Sequence, residues 1–283
     1  MDKAKIKELI VKIEKLPTLP VVVTRINAMV QNPKTSAREV GAAIATDPSL
    51  SAKVLKLVNS AYFGFPSQIS SISHATTILG FNAIQNLALS ATVFQMFRDN
   101  GAEELFDRRT FWEHSLGVGV LARLLCDKVK YPDKEEAFTA GLIHDVGKIV
   151  LDQFVHEEFK MVMSLAKAND MVLCEAETQL LGLNHANVGY ILAQKWNLPK
   201  KLQDPLAYHH ACGLSKYNPQ LTSIIHFSDI LCRAFKIGNG IGKAPPLDRT
   251  AVAEFKLTSA DIEQLRTVSE KEIEKAEIFL EMM

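Results

Sequence analysis

His144 and Asp145 stand side by side in Gly-Leu-Ile-His-Asp-Val-Gly-Lys, residues 141–148, a stretch that is otherwise apolar and helix-prone. An imidazole and a carboxylate are costly to bury unless something satisfies both, and a divalent cation does so well. One such pair alone reads first as a hydrogen-bonded core pair. The remaining histidines change that weighting. His114 lies upstream, and His185, His209–His210 and Asp229 lie downstream, each in its own helical segment. Five helices would then each offer inward-facing ligands to one centre.

The elements that must position these residues are read from apolar spacing. Ile6, Leu9, Ile10, Ile13 and Leu16 recur at helical intervals, and Pro17 and Pro20 stop that helix. Further helices are expected over 22–31, from Ser36 with Glu39 in capping-box register, and over 49–59 behind Asp47-Pro48. Tyr62-Phe-Gly-Phe-Pro66 is an aromatic turn, its rings hydrophobic anchors inside the fold or between its halves. Helices 72–79 and 82–97 follow. The polar, glycine-containing stretch 99–104 is the best boundary, dividing an N-terminal helical part, 1–104, from a second part, 105–283. In the second part, helices are expected over 109–130 with His114, then one carrying His144, Asp145 and Lys148 together. Others follow over 156–169, 173–181, 185–196, 201–211, 219–235, 248–255 and 258–281. Residues 236–246 are rich in glycine and proline and read as loop. With no convincing strand, the fold class is all-α.

Composition narrows the function. The 283 residues are 47% apolar, enough for a sizeable core, and 32 basic side chains balance 32 acidic ones. Zero net charge argues against a general nucleic-acid-binding surface, so a DNA-binding regulator using residues 36–59 is a minor reading. No apolar run approaches the roughly 18 residues of a membrane-spanning helix, and the charged start is unlike a signal peptide. Four scattered cysteines, 126, 174, 212 and 232, read as reduced and mostly buried, in keeping with a cytoplasmic protein.

Residues 16–212 resemble an HDOD domain, the output-type relative of the HD superfamily. The resemblance rests on Leu16-Pro-Thr-Leu-Pro20, Asp47-Pro-Ser-Leu50, Val54-Leu-Lys-Leu-Val-Asn-Ser-Ala-Tyr-Phe-Gly64, Ile72-Ser-His74 and Leu79-Gly80. The second part also resembles metal-dependent HD and HD-GYP phosphohydrolases. His114 stands at that family's first histidine, His144-Asp145 at the eponymous pair and Lys148 at the lysine of His-Asp-x-Gly-Lys. His185, His209–His210 and Asp229 match the histidines and closing aspartate that follow. The chain departs after the double histidine, where Ala211-Cys-Gly-Leu-Ser-Lys-Tyr-Asn-Pro219 replaces an acidic residue and a Gly-Tyr-Pro loop. Thr110 occupies the place of a glutamate that in some relatives holds a third metal.

Neutral imidazoles with a few carboxylates suit Fe, Mn, Co, Ni or Zn, with Fe or Mn favoured, and offer too few oxygens for Ca or Mg. Seven candidates exceed one tetrahedral zinc and suit two ions roughly 3.5–4 Å apart, bridged by Asp145. His114, His144, Asp145 and Asp229 would serve one ion, and Asp145, His185, His209 and His210 the other. Asp145 and Lys148 are the candidate catalytic residues. Lys148 would steady a substrate phosphate, or simply pair with Asp145 or reach for solvent. Adjacent helical side chains diverge by about 100°, so one of His209 and His210 is expected to point away or touch substrate. His226 is expected to serve helix packing, and His74 and His156 to be structural. The glycines at 238–242 lack the flanking strand and helix cap of a phosphate cradle.

Two classes of function follow. One is a signal-transduction module with signalling protein partners, its metal site structural. The other is a metal-dependent phosphohydrolase acting on a nucleotide or phosphodiester. No sensor domain accompanies the sequence, so an input is expected from a separate protein.

Overall fold

A computed structural model describes residues 18–30, 32, 34–97, 106–238 and 242–282. The expected helix over 6–16 and the boundary at 99–104 lie outside the described residues. Among these the structure is helical, without a strand; Val172 pairs with Gly242 and Lys243 only as isolated bridges.

The first helices are α1 (Val21–Val30), α2 (Ala37–Ala45), α3 (Pro48–Val58), α4 (Ile72–Leu79) and α5 (Phe81–Met96). Their starts follow the cap chemistry. Ser36 and Glu39 form a reciprocal capping box on α2, and Asp47 accepts from the Leu50 N–H with Pro48 at the first position of α3. Helix α5 is buried from Ala83 to Phe94, so it is the spine of this group. The Val54–Gly64 motif packs into the fold, with Val54, Leu57, Val58 and Tyr62 buried. Asn59 Oδ1 accepts from the Ile69 N–H at 2.7 Å, and its amide donates to the Ile69 and Leu55 carbonyls. The side chain thereby replaces a missing stretch of main-chain pairing.

The second group is α6 (Arg108–Val129), α7 (Lys134–Ile143), α8 (Val146–Phe154), α9 (His156–Ala168), α10 (Leu173–Leu181), α11 (His185–Lys195), α12 (Lys200–Tyr208) and α13 (Pro219–Ala234). A short α14 (Arg249–Val252) and α15 (Ser259–Ala276) follow, α15 leading into a 3-10 turn, Glu277–Met282. Helix α6 is central here, packed on α7, α13 and α15. The aromatic turn joins the two groups. The Tyr62 ring lies 5.1 Å from Phe138 on α7 and 5.7 Å from Phe279, with the Arg123 guanidinium 4.6 Å above it. Phe94 of α5 meets Trp112 of α6 at 4.3 Å.

One expected helix is two. Helix α7 ends at Ile143 and α8 begins at Val146, so His144 and Asp145 occupy the junction. His144 Nδ1 lies 2.7 Å from the Gly141 carbonyl, which in an unbroken helix accepts the Asp145 N–H. The ring competes for that acceptor, and Asp145 leaves the helical region at φ −97°, ψ 8°.

Removing the Asn59 clasp by Asn59→Ala should lower stability by about 1–2 kcal/mol in urea denaturation without touching the histidine-bearing helices.

Candidate metal centre

Five segments, α6 among them, converge on one group of side chains. His114 comes from α6, His144 and Asp145 from the α7–α8 junction, His185 from the first position of α11, His209 and His210 from the end of α12, and Asp229 from α13. His114, His144, Asp145, His185, His209 and Asp229 are at most 3% exposed, and His210 is partly exposed.

These side chains form two clusters sharing Asp145. One atom each of Asp145, His185, His209 and His210 lie within 4.8 Å of one another, and so do atoms of His114, His144 and Asp145. Asp145 Oδ1 is 3.1 Å from His185 Nε2 and 3.6 Å from His209 Nε2, while Oδ2 is 3.2 Å from His144 Nε2. His210 Nε2 is 2.9 Å from His185 Nε2, so both members of the double histidine turn inward. The helix ends at Tyr208 and the pair follows in a turn, with His209 still in helical backbone. Asp229 reaches the His114–His144–Asp145 cluster through His114, its Oδ1 lying 2.9 Å from His114 Nε2. Lys148 donates to Asp145 Oδ2, and Arg233 Nε to Asp229 Oδ1 at 2.9 Å.

The rings are held from behind. His144 Nδ1 faces the Gly141 carbonyl, and His209 Nδ1 the Pro205 carbonyl at 2.9 Å. A carbonyl only accepts, so in both rings Nδ1 carries the hydrogen and Nε2 presents a lone pair inward. His144 Nε2, His209 Nε2 and Asp145 Oδ1 are buried without a hydrogen-bond partner. Buried polar atoms are rarely left so, and three convergent ones fit a cation bound by nitrogen and oxygen donors.

The electrostatics agree. Burial alone would raise the Asp145 carboxyl, but His144, Lys148 and His185 together hold it well below the usual range. Asp229 is likewise lowered, against burial, by Arg233 and His114. Burial lowers His114, takes His209 down to about 4, and with His209 and His185 beside it pushes His210 well below its ordinary value. Neutral imidazoles are the ligating form, so these three are ready for metal at neutral pH. His185 moves the other way: burial lowers it, but the Glu177 and Asp145 carboxylates together outweigh that.

Glycines let the helices approach. A Cβ on Gly147 would sit 2.0 Å from the His185 carbonyl oxygen, and one on Gly141 would sit 2.7 Å from Gly119 Cα on α6. Gly238, at φ +63°, would meet the His114 main-chain nitrogen at 2.5 Å, so this glycine seats the loop on α6. His226 is satisfied on both nitrogens, by the His209 carbonyl at 2.8 Å and the Asp248 N–H at 2.9 Å, in keeping with a packing role. His156 pairs with Asp152 through Nδ1 at 3.0 Å. Asp107 caps the start of α6, its side chain accepting from the Arg109 and Thr110 N–H groups, and the Thr110 hydroxyl donates to the Asp107 carbonyl at 3.0 Å. Burial takes the Cys126 thiol up to about 12, as expected of an inert cysteine.

Sequence reading missed Glu177 and Arg233. Glu177, on α10, is fully buried and accepts from His185 twice. Its signal was a carboxylate on the apolar face set by Leu173, Ala176 and Leu181. Arg233 was foreshadowed by its place four residues beyond Asp229.

The HDOD domain profile matches residues 16–212. An HDOD domain protein of unknown function from Geobacter sulfurreducens, solved by crystallography, superposes with a TM-score of 0.78 at 26% identity, covering 97% of this chain and 96% of that one. A Shewanella amazonensis SB2B protein provisionally named a phosphohydrolase superposes with a TM-score of 0.72 at 22% identity, covering 96% and 97%. An uncharacterized protein of Treponema pallidum (strain Nichols) is 26% identical over 267 residues, 92% of this chain and 49% of the relative. The chain thus spans about half the length of that curated relative.

Two outcomes follow from the geometry. Gly147→Ala should force α8 from α11, costing the upper end of the about 1–3 kcal/mol typical of overpacking, with weaker metal uptake; thermal melts and metal titration read both. The second concerns pH. His209 is lowered from 6.5 to about 4, so below pH 6.5 the unfolded chain binds a proton that the folded one refuses. Metal-free protein should therefore lose stability as pH falls from 6.5 towards 4, by about 3 kcal/mol from His209 alone, in urea melts across that range. The lowered Asp145 and Asp229 contribute stability that is lost only at still lower pH, below the unfolded carboxylate value.

Proposed function

The chain belongs to the HDOD domain family, and we propose that it acts as a signal-transduction module built around a centre for two divalent transition-metal ions. On this reading residues 1–104 form the N-terminal helical part and residues 105–283 the metal-bearing part. His114, His144, Asp145 and Asp229 hold one ion, and Asp145, His185, His209 and His210 the other. Fe and Mn suit this donor set best, with Zn, Co and Ni also compatible. Signalling proteins are the expected partners. No described helix is long and apolar enough to cross a membrane.

The observation that carries the reading is the enclosure of the centre. Six of its seven residues are at most 3% exposed, and they come from five chain segments. Lys148 and Arg233 are both engaged with ligand carboxylates instead of being turned to solvent. Such a centre ties helices together, so its occupancy changes how firmly they are held and what surface they present.

The sharing of Asp145 between the clusters favours a second reading, a phosphohydrolase acting on a nucleotide or other phosphodiester. Ions held there would supply Lewis-acid polarisation of the phosphoryl oxygens and a water of lowered pKa. The chain itself would contribute Asp145 to fix the two clusters relative to one another, and Lys148 to steady that carboxylate. Lys148 would need to leave Asp145 to reach a substrate phosphate.

Metal content per chain, measured by plasma mass spectrometry on protein purified without chelator, should approach two. His144→Ala and Asp145→Ala should both lower it, and no turnover should appear on nucleotides or generic phosphodiesters. Turnover abolished by Asp145→Ala with the fold intact would establish the hydrolase instead. Metal content near zero after incubation with Fe(II), Mn(II) and Zn(II) would sink both readings.

A further inference from the structure

The geometry points to Glu177 as a positioning residue, a charged brace that aims His185 into the centre and strengthens the Asp145–His185–His209–His210 cluster as the tighter of two metal subsites. The inference rests on the metal-binding reading above. Glu177 is fully buried on α10, a helix that supplies none of the seven candidate ligands. Its Oε2 accepts from the His185 main-chain N–H at 2.8 Å and from His185 Nδ1 at 2.6 Å. The ring is thereby fixed with Nδ1 protonated, and Nε2 faces Asp145 and His210.

The three braced rings are not braced alike. His144 and His209 rest on neutral main-chain carbonyls, whereas His185 rests on a carboxylate. A carboxylate behind an imidazole raises its basicity and hence its strength as a ligand, which a carbonyl does much less. Capping α11 does not require this charge. Asn184 and Asn187 already form a reciprocal box at that helix start. A neutral acceptor would satisfy the His185 N–H at lower desolvation cost, because a buried carboxylate needs compensation by positive charge as well as by hydrogen bonds. A cation bound on the far side of the His185 ring would provide that charge. In the other cluster, Asp229 is shared between His114 and Arg233, which weakens it as a donor.

Cobalt(II) titration of the whole chain, followed by visible absorption, tests the assignment. Unaltered protein should take two Co(II) in separable steps. Glu177→Gln keeps the shape and removes the charge, and should weaken the first step on the order of 10–100-fold and move its absorption band. The second step should stay unchanged. Circular dichroism and melting of metal-free Glu177→Gln check its fold. Unchanged affinities and bands in folded Glu177→Gln would make Glu177 a helix staple only and overturn the inference, with the metal reading left standing. No Co(II) uptake by unaltered protein would overturn both. Ring nitrogen NMR of zinc-loaded unaltered protein is independent of any variant's folding. It should show His185 protonated at Nδ1 and metallated at Nε2, and the reverse assignment would also overturn the inference.

Discussion

The Asp145 carboxylate is the point on which the centre depends. It is 1% exposed, and its two oxygens face His144, His185, His209 and Lys148, so the α7–α8 junction, the start of α11 and the end of α12 meet at one functional group. A charge buried this deeply is stable only when its surroundings supply compensation from several sides. Lys148 supplies part of it, from one turn along the same segment. The ring nitrogens turn lone pairs toward it, so on the proposed reading a bound cation would supply the rest. Asp145 can meet all of them because the chain breaks its helix there. In a continuous helix the Asp145 side chain would be tied to a single face, and two clusters could not share it.

Backbone proximity is the second requirement. Bringing ring nitrogens within 4.8 Å of a common carboxylate calls for close approach between the segments that carry them. Gly147 against His185 and Gly141 against Gly119 meet that demand where ligands enter from α11 and α6. Gly238 does the same for the loop lying on His114. The first helices supply the foundation. Tyr62 packs on Phe138 of α7, and α5 packs on the same helix, so the first helices hold the segment leading into His144.

Much of this was legible in the sequence, for identifiable reasons. Helices at 156–168, 173–181 and 185–195 fall within a residue or so of their expected bounds, because caps and prolines mark their ends locally. The seven candidate residues stood out because histidines and aspartates placed in separate apolar helical segments are chemically anomalous. Other features were hidden. The break at 144–145 leaves no mark in hydrophobic periodicity, since it arises when one ring takes one carbonyl. Glu177 was visible only as a charge on an apolar face, and no local rule says which ring such a charge would meet. The glycines at 236–242 were recognised as loop-forming, but not Gly238 as the seat of that loop on α6.

The sequence by itself determined the helical class, most helix ends and the chemical identity of the candidate ligands, because propensity, capping and side-chain chemistry act over a few residues. Tertiary structure decided which nitrogen of each ring faces inward, that both members of the double histidine converge, that Asp145 serves two clusters and Asp229 is shared with Arg233, and that a tenth helix contributes a brace. Those outcomes depend on contacts between residues far apart in the chain, such as His114 with Asp229 or His185 with Asp145. Packing alone brings such residues within hydrogen-bonding range, and the low dielectric of the interior then makes each orientation count.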